Sequence, residues 1–367
     1  MPAKRGTAFK AVKNVTKGVV IKIKPSILVG ILLFNLNHVL GSESVMAHPA
    51  VAEAQTPDSG KVIVAIAPSQ SSRMQSGDSF GFRHSLATRQ LITLDGVAEL
   101  IRHYQTQKRY DLIYSTINST EIAPQNALDA VTALKSSEYT NTWIRLTQVD
   151  DTLPEIRGAT KSFIQDLSDL YGRNIEAEVF KPFVTLFVSS PGEVTPYHFD
   201  HTWNFLLQLK GTKTVYLFDQ NDPQVLRQTD QENWYGRNCV PAKDENSGDG
   251  IPYFLRPGDG VHHPVNAPHW VQNGPEISIS LSIGLCLHES NRRAKIHQVN
   301  YILRKLGLSP PPPSPSNRAD RLKLALMDIF SDRQPGSFQS AVFSGRDRVM
   351  LPYRATRKVF SILNSKR

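Results

Sequence analysis

Residues 191–219 read PGEVTPYHFDHTWNFLLQLKGTKTVYLFD, and this stretch holds three β-rich segments, Thr195–Asp200, Phe205–Leu209 and Thr214–Phe218. Pro191-Gly192 precedes the first and Lys210-Gly211 separates the second from the third, so strand and turn chemistry alternate at short intervals. The rhythm continues outward. Val179–Ser189 reads as a strand before the stretch; Tyr253–Arg256, His269–Gln272 and Ile277–Leu285 follow it. Their separators are residues 257–260 (PGDG) and 273–275 (NGP). Many short strands at this spacing predict an antiparallel barrel or jelly roll. No glycine-rich strand-to-helix phosphate loop occurs, which argues against a nucleotide-binding fold.

Helical periodicity flanks this region. Val62–Ala67 reads as a strand, Leu94–Tyr104 as a helix opened by Thr93 or Asp95, Gln125–Lys135 as a helix and Thr142–Val149 as a strand. Pro154 starts a helix carrying Phe163, Leu167 and Leu170 at helical spacing. After His288, an apolar stripe of Ile296, Val299, Ile302, Leu303 and Leu306 runs beside Arg292, Arg293, Lys295, Arg304 and Lys305. The predicted organisation is an extension over 1–61 and a catalytic domain over 62–290 with its β core at about 178–290. An amphipathic helix over 291–308, a stiff proline-rich linker over 309–317 and a basic tail over 318–367 with one short helix complete it. The fold class is mainly β with flanking α.

The net charge of +9 is uneven: residues 1–45 carry +6, residues 291–367 carry +12, and residues 46–290 carry −9. The basic charge thus lies outside the best-patterned domain, and no helix-turn-helix or zinc finger accompanies it, so nucleic acid is not the expected partner. Basic residues up to Lys24 precede an apolar run over 27–40, too short and too interrupted to span a bilayer comfortably. Two readings stay open: a signal-like segment ending near Ala47, which would mean export, or an extension upstream of a start at Met46, which would mean the cytoplasm. Two cysteines, Cys239 and Cys286, cannot build a disulfide framework or a thiolate zinc site, so any metal must use histidine and carboxylate.

The sharpest candidate is TPYHFD at 195–200. Residues two apart on a strand share a face, so His198 and Asp200 can offer an imidazole and a carboxylate to one metal. Such a pair alone is a weak signal. A third ligand strengthens it: the turn at 257–260 is followed by Pro264 and His269, with Trp270 beside it. Two histidines and one carboxylate leave open positions on one face, the arrangement suited to non-haem Fe(II). A zinc site remains an alternative, with His201, His262 or His263 as a fourth ligand. The plainer reading places those three histidines on loops or the surface. Lys213, just past the Lys210-Gly211 turn, reads on its own either as a solvated turn lysine or as a residue that returns on the neighbouring strand and points into the barrel, where it would need an anion.

Gly192, His198, Gly258, Pro264, His269 and Asn273 stand at the spacing of the two cupin motifs, with Asn266 where the second motif usually has glycine. Within cupins, 195–213 and 257–283 resemble the JmjC-type hydroxylases, bacterial cupin-like proteins and the asparaginyl-hydroxylase branch above all. The resemblance covers about 180–290, and FRHSL (82–86) and TWIRL (142–146) are similar to the same bacterial proteins. It implies a double-stranded β-helix, Fe(II) and the cosubstrate 2-oxoglutarate. His198, Asp200 and His269 match the iron ligands; Thr195, Asn204 and Lys213 match positions that bind 2-oxoglutarate. Ser282 falls where the asparaginyl-hydroxylase branch has an asparagine near the cosubstrate, and Trp203 and Trp270 either pack or line a substrate opening.

The implied activity is a dioxygenase reaction that couples decarboxylation of 2-oxoglutarate to hydroxylation of a substrate C–H, demethylation being hydroxylation at an N-methyl carbon. Its partners would be 2-oxoglutarate, O2 and a protein side chain or small molecule, with no catalytic residue beyond the metal and cosubstrate set. The resemblance also makes a homodimer through the C-terminal helices an expectation. Two rivals stay open: a non-catalytic, metabolite-binding regulator whose basic ends bind nucleic acid, and a zinc or manganese cupin enzyme.

Overall fold

A computed structural model describes residues 64–89, 92–136, 141–237, 250–333, 335 and 338–351, all within one compact unit. The signal-like segment, the first residues of the Val62–Ala67 strand, Cys239 and the last stretch of the basic tail lie outside the described residues.

Thirteen strands are described in chain order: β1 (Val64–Ala65), β2 (Gly81–His84), β3 (Ile113–Ile117), β4 (Thr120–Ile122), β5 (Trp143–Thr147), β6 (Val179–Ser189) and β7 (Val194–His198). There follow β8 (Trp203–Lys210), β9 (Lys213–Leu217), β10 (Ile251–Leu255), β11 (Asp259–His263), β12 (His269–Asn273) and β13 (Ser278–Leu287). They form two antiparallel sheets, one ordered β1-β2-β11-β8-β13-β6-β5-β3-β4 and the other β10-β9-β12-β7. The middle of the large sheet, β11-β8-β13-β6, packs on the small sheet across an apolar interior. Leu206 and Val261 come from the large sheet and Val215, Leu217, Tyr253, Leu255 and Val271 from the small one. The two sheets make the predicted jelly-roll barrel.

Strand β8 is buried on both faces, because period 2 sends Leu206 into the barrel and Phe205 and Leu207 into a second core. That second core is capped by helices. Val97, Leu100 and Ile101 of Leu94–Thr106, and Ile156, Phe163 and Leu167 of Pro154–Tyr171, pack there with Ile279, Leu281 and Ile283 of β13. Thr93 opens the first of these helices, its Oγ1 accepting from Gly96 N–H at 3.1 Å.

Three expectations need correction. Strand β11 occupies residues predicted as part of a turn. Asp259 and Gly260 disfavour strands locally, yet β2 pairs with both and β8 with Gly260 from the other side. The basic tail carries two helices, Arg318–Phe330 and Phe338–Val349, because Val342 and Phe343 pack against Tyr235 and Ala294. The proline-rich segment is a docked strap: Gln228 Nε2 and Arg304 Nη2 donate to the Pro310 carbonyl, and Asn300 Nδ2 to that of Pro311. No helix among the described residues is long and apolar enough to cross a membrane.

Candidate metal centre in the barrel

His269 begins β12 and pairs with His198, the last residue of β7; their ring centroids are 4.2 Å apart. Asp200 Oδ2 lies 3.9 Å from His269 Nε2, and the ligand atoms of His198, Asp200 and His269 all fall within 4.8 Å of one another. Each imidazole is anchored at Nδ1, His198 to the Pro196 carbonyl at 2.8 Å and His269 to that of Ala267 at 3.0 Å. A carbonyl only accepts, so Nδ1 carries the proton and Nε2 presents a bare lone pair. Burial, and then the neighbouring His198, lower His269 to about 4, which keeps it in the neutral form a metal requires.

Asp200 arrives differently from the prediction. Strand β7 ends at His198, so strand periodicity does not place the carboxylate. Asn266 N–H instead donates to the Asp200 carbonyl at 2.8 Å. Asn266 stands where glycine was anticipated because its φ is +64°, a left-handed conformation that asparagine tolerates. Its side chain accepts from Tyr235 Oη–H at 2.9 Å and donates to Gln231 Oε1 at 3.2 Å.

Asn204 and Ser282 come together behind Asp200. Ser282 Oγ donates to Asn204 Oδ1 at 2.7 Å, and Asn204 Nδ2 points at Asp200 Oδ2 from 3.5 Å. Thr195 reaches the same face through a bulge: β12 advances two residues from His269 to Val271 while β7 advances three from His198 to Thr195. Lys213 opens β9 opposite Asn273, in register with Val215 and Leu217 on the inward face. It is 5% exposed, and burial pushes its ammonium down to about 7, with no acid raising it.

The two tryptophans lie elsewhere. Trp203 faces the helix-capped core, against Tyr171 and Phe205 at 5.3 and 5.0 Å. Trp270, one residue past His269, leaves the outer face of the small sheet and stacks on Tyr216 at 3.9 Å. Nor are His201, His262 and His263 surface residues: they are 1, 0 and 2% exposed. His201 bonds Tyr235 Oη at 2.8 Å and Asn291 Oδ1 at 3.0 Å, fastening the ligand loop to the helix His288–Lys305. His262 stacks on Phe80 at 4.7 Å.

His263, which the sequence offered as a fourth ligand or a loop residue, is directed inward beside His269, their centroids 4.5 Å apart. A further feature escaped the sequence reading. From Phe187 of β6 outward, the same sheet face carries Arg145, Trp143 and Tyr114 on β5 and β3. The Arg145 guanidinium lies 5.1 Å from the Tyr114 centroid and Trp143 stacks on Phe187 at 5.8 Å. Burial lowers the Arg145 pKa although Tyr114 and Asp200 oppose it, so this cation and the Asp200 carboxylate sense each other.

No curated protein matches the chain. Among solved structures, that of Escherichia coli YcfD is 15% identical and covers 77% of this chain and 70% of its own, with a TM-score of 0.40. A YcfD structure described as a ribosomal oxygenase in complex with cobalt and 2-oxoglutarate is 14% identical, covers 76% and 70%, and has a TM-score of 0.38. The cupin-like domain profile matches residues 54–323. That span takes in both sheets, the three converging ligands and the helix that fastens His201, so the chain belongs to the cupin-like domain family.

Proposed function

We propose that the protein is an Fe(II)- and 2-oxoglutarate-dependent oxygenase that hydroxylates a substrate C–H. The observation that carries the reading is the inward face itself: two Nδ1-anchored imidazoles and one carboxylate converge at one end, and a buried lysine without an acid shares the face. The donor set fits Fe(II), which when bound there supplies open coordination positions and the redox chemistry of oxygen activation. Backbone carbonyls hold His198 and His269 with Nε2 forward, and Asn266 holds the Asp200 backbone. Lys213 would take the far carboxylate of 2-oxoglutarate, an anion that relieves an otherwise unpaired buried ammonium. The interior of Leu206, Val215, Leu217, Val261 and Val271 excludes water around it. Partners in this reading are 2-oxoglutarate, O2 and a substrate side chain or small molecule admitted on the side of Arg145 and Tyr114.

Succinate formation from 2-oxoglutarate under air tests the proposal. Iron-loaded wild type should produce succinate above the rate of free iron, and His198→Ala and Asp200→Ala should abolish the excess. Equal output from wild type and both variants would sink it.

A further inference from the structure

His263 is 2% exposed, and neither of its ring nitrogens has a hydrogen-bond partner among the described residues. The other histidines of β7, β11, β12 and the ligand loop each have at least one partner. His198 and His269 bond backbone carbonyls, His201 bonds at both nitrogens, and His262 Nδ1 meets the Asp78 carbonyl at 3.1 Å. Burying both polar atoms of an imidazole without partners is unfavourable. A valine, isoleucine or leucine would fill a buried strand position without that penalty. The position therefore favours a bound group that can answer the ring.

Where the ring sits identifies that group. β11 pairs with β8 so that His263 lies opposite Asn204, on the inward face and beside the Ser282–Asn204–Asp200 chain. Its ring stands at 68° to that of His269, and the charges of His198, His269 and Lys213 all reach it. The converging ligand atoms are those of His198, Asp200 and His269, and His263 is not among them. It belongs to the space that the metal set and the lysine share.

We propose that His263 is a further cosubstrate-binding residue, its imidazole N–H donating a hydrogen bond to a carboxylate oxygen of the bound 2-oxo acid whose far carboxylate Lys213 holds. The inference rests on the oxygenase reading and deepens it. A site with this residue trades stability of the empty protein for grip on the anion, and that trade distinguishes it from a packing residue.

The test uses the full chain loaded with cobalt(II), which avoids turnover, titrated with 2-oxoglutarate by calorimetry alongside His263→Leu and His263→Gln; the metal-free proteins are also melted. The leucine variant should bind 2-oxoglutarate about tenfold more weakly or worse, one hydrogen bond to a charged group being lost. It should hold cobalt as wild type does and, metal-free, melt at the same temperature or higher. The glutamine variant, which keeps an N–H, should recover most of the affinity. Wild-type affinity in the leucine variant overturns the inference, as does a lower metal-free melting temperature or loss of cobalt binding, which would make His263 structural or a metal ligand. Failure of cobalt-loaded wild type to bind 2-oxoglutarate instead brings down the oxygenase reading, and the inference with it.

Discussion

Lys213 is where burial and charge oppose each other most directly. Its pKa lies near 7 in the folded protein, against about 10.4 for an unfolded lysine, so between those values the unfolded chain binds more protons and stability rises with pH. Binding a dicarboxylate has the opposite dependence. Below pH 7 the ammonium is already present; above it, binding must take up a proton, and 2-oxoglutarate affinity should fall about tenfold per pH unit. Calorimetry in two buffers of different ionisation enthalpy should show almost no proton uptake at pH 6 and nearly one proton at pH 8.5. Zero uptake at both contradicts the assignment. At this scale the candidate ligands were legible, because metal binding demands particular side chains at particular spacings, and the structure brings His198, Asp200 and His269 together. His263 was only partly legible: the sequence offered it as a fourth metal ligand or a loop residue, and whether a histidine faces core, site or solvent depends on which strand pairs with it.

Two strands show what pattern reading resolves at the element scale. β8 and β13 announced themselves by apolar composition and their turns. β11 hid behind its Asp259-Gly260 start, where the Asp259 carboxylate pairs with Arg83 and accepts from Arg256 N–H. Gly260 is there because the Phe82 ring lies over it, leaving no room for a Cβ. Gly260→Ala should therefore cost about 2 kcal/mol through overpacking, measurable by urea denaturation. A change below about 0.5 kcal/mol, the size of an ordinary surface substitution, would show that the ring yields freely. The β7 bulge was equally hidden: strict alternation puts Thr195 and His198 on opposite faces, and one extra residue reunites them.

Across the whole molecule, several basic residues of the C-terminal region fold back onto the chain. Arg304 pairs with Glu232, Lys323 with Asp320 at 2.7 Å and Lys295 with Asp328 at 2.6 Å, while Arg346 Nη1 donates to the Tyr235 carbonyl. Their partners lie far along the sequence or on neighbouring turns, so a net-charge count could not reveal them. This region leaves Leu322, Leu326 and Ile329 exposed at 74, 46 and 76%, along one face of Arg318–Phe330. A second copy is expected on that stripe. Light scattering should give twice the chain mass, and Leu322→Glu with Ile329→Glu should halve it; a monomeric wild type contradicts the expectation.

The most direct test of the central claim is an anaerobic titration of Fe(II) and 2-oxoglutarate into the protein, followed by the visible charge-transfer absorption of an iron-chelated 2-oxo acid. The account predicts a band that is absent in His198→Ala and Asp200→Ala and that needs far more 2-oxoglutarate in Lys213→Ala. Folded, iron-binding wild type that gives no band would contradict it.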